Sequence, residues 1–253
     1  MATALVPLPA RQWLRAQQRR YRLQSVPVGT VDFGTLRRLT PISPVFGLDR
    51  DLMIIDRHYI EDFLARHAAD IQGRVLEMGD AAYTRKFGGD RVSESDVLHS
   101  EPGNLAATIV ADLTDADHLP ADSFDCIIIT QTLQMIYDVR SALRCLYRIL
   151  KPGGVILATS HGISRIARRE GIDPWGEYWH FTAQSSKRLF EEVFPADSVR
   201  IVTYGNVLAA TGSLHGLSAA ELSPRELAYH DPNYEIIVAV RARKPVAASE
   251  APS

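Results

Sequence analysis

"GRVLEMGDAAYTRKFGGDRV", residues 73–92, decides how this chain is read. An apolar run reaches an acid, Glu77, and then a glycine, Gly79. A buried strand that ends in a glycine turn is how many α/β domains open their cofactor site, because glycine lets the backbone turn tightly against a ligand. Such turns usually carry glycine at every second position. Here Ala81 and Tyr83 stand at the next two, and Gly88 and Gly89 arrive too late to replace them. A pyrophosphate needs the close approach that the missing glycines allow, which argues against a nicotinamide dinucleotide. Ala81 accepts an ordinary backbone angle but not a left-handed one, and Tyr83 must either point away from the cofactor or supply part of its contact surface.

Working outward, strands alternate with helices. "RVLEM", "RVSESDV", "ATIVAD", "FDCIIIT", "VILATS", "VRIVTYG" and "YEIIVAVRAR" read as strands one to seven. "IDRHYIEDFLARHAADI" and "VRSALRCLYRIL" have helical apolar spacing, "KPGG" stops the second helix, and "SSKRLFEEVF" is a further helix. Near-continuous apolar strands separated by helices imply a sheet buried on both faces. The expected fold is therefore α/β and Rossmann-like, with a seven-stranded, mostly parallel sheet. No full crossover helix is evident between the last two strands, so an antiparallel edge is expected. Residues 1–54 read as an N-terminal arm or lid, 55–245 as the main domain and 246–253 as a disordered tail.

Composition bounds the partners. Of 253 residues 46% are hydrophobic and 23% charged, with a net charge of −2, so no basic footprint for nucleic acid or a membrane surface is present. Residues 11–22 carry five arginines and read as a solvated helical arm or an anion-binding patch. No run of about 18 apolar residues suggests a membrane helix. The N-terminus lacks an apolar signal core, and two cysteines without metal spacing suit a reduced, cytoplasmic compartment. The abundance of Ala, Arg and Asp fits a GC-rich bacterial source.

The order "VLEMG … SDVL … VADLTDADHLPADSFDCIIITQTLQMI … LYRILKPGGVILAT" resembles the class I S-adenosylmethionine-dependent methyltransferases, including their broad small-molecule subgroup, over about residues 55–205. The resemblance implies S-adenosylmethionine as cofactor. It places Glu77, Gly79 and Asp80 at the cofactor turn and Asp96 at the end of strand two, accepting from the ribose hydroxyls. It places Asp112, with Leu113 behind it, at the adenine edge, and Thr130 and Gln131 where strand four opens onto the methyl group. Arg57 and Tyr59, a helix ahead of strand one, stand where such enzymes often ground the cofactor carboxylate, and Arg57 has the geometry for it. Each carboxylate has a plainer reading as a solvated loop acid, and Arg57 as a surface partner of Asp56 or Glu61. Asp51, Leu52 and Met53 occupy a loop that related proteins keep small and glycine-containing.

The segment "SHGISRIARREGIDPWGEYWHFT" after strand five is long, polar and aromatic, as a substrate wall would be. Trp175, Tyr178 and Trp179 offer flat surface, Gln134 and Arg165 polar contacts to an acceptor, and Arg168 a further cation. His161 and then His180 are the candidate general bases, with Glu177 a further hydrogen-bonding group. A loop histidine without chemical role is the alternative for either. No histidine pair shows a zinc-protein spacing, so no metal site is expected, although strand-end carboxylates suffice for Mg²⁺.

The expected activity is methyl transfer to a small molecule, at a hydroxyl of a sugar or secondary metabolite. Two alternatives stand beside it. The degenerate turn fits a repurposed biosynthetic enzyme whose reaction is a cyclisation or another non-methylating step. The arginine-bearing arm and "GLSAAELSPRELAYHD" (216–231) fit docking surfaces of a non-catalytic partner protein, or of a homodimer.

Overall fold

The computed structural model describes residues 32, 34–50, 53–167 and 176–246. The arginine-rich stretch 11–22, Asp51, Leu52, Arg168, Trp175 and the tail from 247 lie outside the described residues. The chain divides into two units, residues 1–39 and 40–253. In the first, Gly34–Leu36 form one 3-10 turn, opened by Asp32 accepting from the Gly34 N–H at 2.8 Å.

In the second unit, strand β1 (Gly73–Met78) lies parallel to β2 (Val92–His99) on one side and β4 (Phe124–Thr130) on the other. β2 carries the two-residue β3 (Ile109–Val110), and β4 pairs in parallel with β5 (Leu150–His161). β7 (Ile237–Arg243) runs antiparallel to both β5 and β6 (Val199–Tyr204). The order is β3-β2-β1-β4-β5-β7-β6. The strand order reverses between β1 and β4, which opens a crevice at their carboxyl ends.

Alternation along the strands splits the core. Leu76, Ile127, Ile129 and Ile156 face α2 (Val139–Ile149) and α3 (Ala183–Glu191). Val75, Cys126, Ile128 and Leu157 face α1 (Ile55–Arg66) and α4 (Val207–His215). Helix α2 forms because Val139, Ala142, Leu143, Leu146 and Ile149 fall on one stripe, and Asp138 caps it by accepting from the Ser141 N–H at 3.0 Å. Fully buried, Leu143 and Leu146 contribute about 1.5–3 kcal/mol each.

Three local expectations change. "KPGG" does not merely stop a helix: β5 already begins at Leu150, and the register against β4 shifts there. Gly154 is needed because a Cβ would meet the Lys151 carbonyl oxygen at 2.9 Å and that of Asp125 at 3.0 Å. A helix does lie between β6 and β7: α4 is capped by Asn206, which accepts from the N–H groups of Leu208 and Ala209 at 3.0 Å each, and ends at left-handed Gly216. Finally, residues 40–54, read as part of the arm, lie within the second unit. Ser43 N–H donates to the His215 carbonyl at 3.0 Å, and Ile54 bridges Ser218. The segment 216–231 is also partly core, since Ala219, Leu222 and Leu227 are buried in the cluster around α1. No helix among the described residues is long and apolar enough to cross a membrane.

Candidate functional site

The turn after β1 is held from both sides. Gly79 has φ +84°, the left-handed region, and nothing stands within 4 Å of where a Cβ would be. Backbone conformation therefore explains the glycine, and the space beside it is open. Its N–H donates to the Leu98 carbonyl at 3.0 Å, and its carbonyl accepts from Asn104 Nδ2 at 2.6 Å. Asp80 closes an Asx turn by accepting from the Ala82 N–H at 2.6 Å. Ala81 keeps an ordinary φ.

Glu77 points into the core rather than the crevice. Its carboxylate accepts from the N–H groups of Tyr83 at 3.1 Å and Thr84 at 2.7 Å, and from the Thr84 hydroxyl at 2.7 Å. These are the otherwise unpaired donors at the start of the next helical segment (Thr84–Gly88), where a carboxylate is favoured. Burial pushes its pKa up, and the hydrogen bonds from Thr84 and Tyr83 oppose the rise. The Tyr83 ring stacks on Phe87, with centroids 6.1 Å apart, and packs against the α1 cluster. Burial raises its hydroxyl pKa and the nearby Arg57 charge opposes the shift. Half-buried Arg57 makes no ion pair among the described residues.

Two cofactor candidates, Asp96 and Tyr59, have partners within the fold. Asp96 does not end its strand: β2 continues to His99, in register with β1 up to Met78↔Leu98. Asp96 is buried, and its carboxylate is occupied by Arg74 at 2.8 Å and the Thr108 hydroxyl at 2.7 Å. The acid that follows the true strand end is exposed Glu101. Tyr59 is a core residue whose hydroxyl donates to the Leu227 carbonyl at 3.0 Å, and burial pushes its pKa up to about 12. Asp112 is exposed and accepts from the Thr114 N–H and hydroxyl at 2.8 Å each, while Leu113 is buried in the core behind it.

At the end of β4, half-buried Thr130 leads to Gln131 at φ +48°, an uncommon angle for a residue with a side chain. Gln131 Oε1 accepts from Gln134 Nε2 at 2.9 Å and lies 3.1 Å from His161 Nδ1. Gln131 Nε2 and Gln134 Oε1 are buried without a partner.

His161 ends β5 beside them. Gly162 follows because a Cβ there would strike the Glu235 carbonyl oxygen and approach that of Phe181 to 2.9 Å. The returning chain is pinned by Phe181 N–H to the His161 carbonyl at 3.1 Å and by Tyr178 N–H to the Gln134 carbonyl at 2.8 Å. It delivers Glu177 and His180 to His161. His161 Nε2 and His180 Nε2 both face Glu177 Oε1, the second at 3.0 Å, and Glu177 Oε2 accepts from the Ala167 N–H at 2.6 Å. The two imidazole rings meet edge to face at 4.7 Å. Burial lowers the His161 pKa, and Glu177 opposes this. Next to the triad, Tyr137 stacks on Trp179 and meets Tyr178 edge-on, and a cavity of about 300 Å³ opens among Tyr137, Trp179, His180 and Arg188. The Arg165 guanidinium sits 3.9 Å over the Phe46 ring.

Residues 65–158, from the last turn of α1 to strand β5, match the family model described as a methyltransferase domain. The sheet order above is that of the methyltransferase Rossmann-like fold, within which this matched domain lies. Over 45 residues the chain is 49% identical to the ubiquinone/menaquinone biosynthesis C-methyltransferase UbiE of Haemophilus ducreyi, a match that covers 17% of this chain and 17% of that one. Among solved structures, the [4+2]-cyclase SpnF aligns with a TM-score of 0.50 at 16% identity, over 76% of this chain and 82% of its own. A SAM-dependent methyltransferase from Archaeoglobus fulgidus gives 0.50 at 15%, over 74% and 94%. At such identities the likeness is one of fold.

Sequence reasoning found the Gly79 turn and the ends of β4 and β5, but ended β2 too early, at Asp96. It missed Asn104, which pins the Gly79 carbonyl, and Glu101, although an acid soon after the strand-two run was the signal sought. It named Glu177 without foreseeing that the two histidines share it.

Proposed function

We propose that this chain is an S-adenosylmethionine-dependent methyltransferase acting on a small molecule, at a hydroxyl of a sugar or secondary metabolite. One observation carries the reading: the left-handed Gly79 turn, held by Glu77 below and Asn104 beside it, at the point where the strand order reverses. The residues suit that cofactor. The open space at Gly79 would take the methionine part, Arg57 would meet its carboxylate, and Glu101 would accept from the ribose hydroxyls. Asp112 and Leu113 stand for the adenine edge. Bound there, the cofactor supplies an activated methyl group on sulfur. Thr130 and Gln131 border the reacting side, and the orphaned Gln131 amide is a donor awaiting a partner. The acceptor lies against Tyr178 and Trp179, with Gln134 and Arg165 as polar contacts. His161 and His180 act on it as one unit with Glu177, because both Nε2 atoms face the same carboxylate oxygen. Most of the acceleration comes from holding the acceptor in line, where effective molarities reach roughly 10⁵ M or more.

Calorimetric titration with S-adenosylhomocysteine tests the reading. Micromolar binding is expected, and no heat at roughly 1 mM ligand overturns it. A second reading keeps the cofactor site but not the methyl transfer, because Ala81 and Tyr83 replace glycines of the turn. A product whose mass equals that of its substrate would favour it; a product heavier by one methylene rules it out.

A further inference from the structure

We propose that His161, Glu177 and His180 bind a divalent transition-metal ion of the class that takes two imidazole nitrogens and a carboxylate oxygen, such as Zn²⁺. The inference deepens the acceptor side of the methyltransferase reading and rests on it only for what the ion would hold. One ligand atom from each residue lies within 4.8 Å of the others. Zinc bound at about 2.0–2.1 Å in a tetrahedral site needs ligand atoms about 3.3 Å apart, so small side-chain shifts suffice.

Outer contacts orient both rings. His180 Nδ1–H donates to the Gly162 carbonyl at 2.9 Å, and His161 Nδ1 lies 3.1 Å from Gln131 Oε1 and 3.4 Å from Gln134 Nε2. In the tautomer with the proton on Nδ1, each Nε2 is free to coordinate, and both face the Glu177 carboxylate oxygen. Three potential ligand atoms then converge on one point. The position is buried: the Glu177 side chain is 1% exposed and that of His161 7%. No lysine or arginine contacts Glu177 among the described residues. A divalent ion would balance the charge of this buried carboxylate and take all three ligand atoms at once.

The scaffold is also arranged for it. His161 is fixed by sheet pairing with Ile237, and Glu177 keeps its second oxygen on the Ala167 N–H. His180 is 37% exposed along its side chain and lines the 300 Å³ cavity with Tyr137 and Trp179. Three protein ligands with an open side are the pattern of catalytic rather than structural sites. An ion here would hold a hydroxyl-bearing acceptor through its oxygen, beside the aromatic wall.

The test strips the full chain with a chelator and titrates it with Zn²⁺ by calorimetry. One ion per chain is expected, with binding weakened at least 10-fold in Glu177→Gln and in the double variant His161→Ala/His180→Ala. Circular dichroism reports whether these variants fold. Electron paramagnetic resonance of the wild type loaded with Cu²⁺ does not depend on them, and should show coupling to two imidazole nitrogens. No stoichiometric binding, binding unchanged in folded variants, or Cu²⁺ without imidazole coupling overturns the proposal. S-adenosylhomocysteine binding by the metal-free wild type separates this failure from failure of the methyltransferase reading.

Discussion

Thr84 donates both its backbone N–H and its hydroxyl to the same Glu77 oxygen, each at 2.7 Å, beneath the Gly79 turn. The acid that looks like a cofactor ligand in sequence is thus the anchor of the loop. Replacing it by glutamine turns one acceptor into a donor facing N–H groups. Glu77→Gln should lose about 2–3 kcal/mol of stability, the cost of leaving buried polar groups unpaired. Urea unfolding measures it, and a loss under roughly 0.5 kcal/mol would return Glu77 to a ligand role.

Glu101 and Asp96 separate two readings of the ribose site. Asp96 is spent on Arg74 and Thr108, whereas Glu101 stands exposed beyond the end of β2. Glu101→Gln should weaken S-adenosylhomocysteine binding roughly 10- to 100-fold, as expected for hydrogen bonds to a charged acceptor. Asp96→Asn should lower the unfolding midpoint instead, with affinity nearly unchanged. The reverse pattern in calorimetry would restore Asp96 to the site.

Tyr83 stacks on Phe87 against the α1 cluster. Tyr83→Ala should therefore cost about 1–2 kcal/mol of stability through lost burial and stacking. Cofactor-product affinity should stay within a few-fold of wild type. A large loss of affinity without a change in thermal midpoint would mean that the ring lines the pocket.

Asp56 accepts from the Ser213 hydroxyl at 2.7 Å, joining the first turn of α1 to the last turn of α4. Burial raises its carboxyl above the ordinary 3.8, with the Ser213 hydrogen bond and the His161 charge opposing. The fold thus favours the protonated form. Its contribution to stability is full below pH 3.8 and is lost as pH rises through the folded value. Asp56→Asn imitates the protonated acid and can still accept from Ser213. It should be more stable than wild type at neutral and alkaline pH, with the difference closing as the pH falls towards the ordinary carboxylate value. Denaturation midpoints across that range check it, and a gap that widens in acid would refute it.

What could be read along the chain were features written within a few residues of one another. "FDCIIIT" is apolar enough to be a strand buried on both faces, and β4 is that strand. The stripe in "VRSALRCLYRIL" and the strand–glycine junction at Gly79 announced α2 and the cofactor turn in the same way. Helix α4 was harder, because "VLAATGSLH" has small residues and no clear stripe. Its place comes from α1, where Gly212 approaches the Ile55 side chain closely enough that a Cβ would stand 2.9 Å from it.

The strand ends depended on pairing. "SESDV" looks like a strand closing in polar residues, and only the register with β1 carries β2 on to His99 and leaves Asp96 inside the sheet. The triad is the extreme case. His161 belongs to a strand and Glu177 and His180 to the chain that returns past it, with no shared period to link them. Their meeting is decided by long-range backbone pairing, from Phe181 to His161 and from Tyr178 to Gln134. Local side-chain chemistry determined which groups this protein has to work with; the return of the chain from Gly176 to Phe181 onto the end of β5 decided which of them touch.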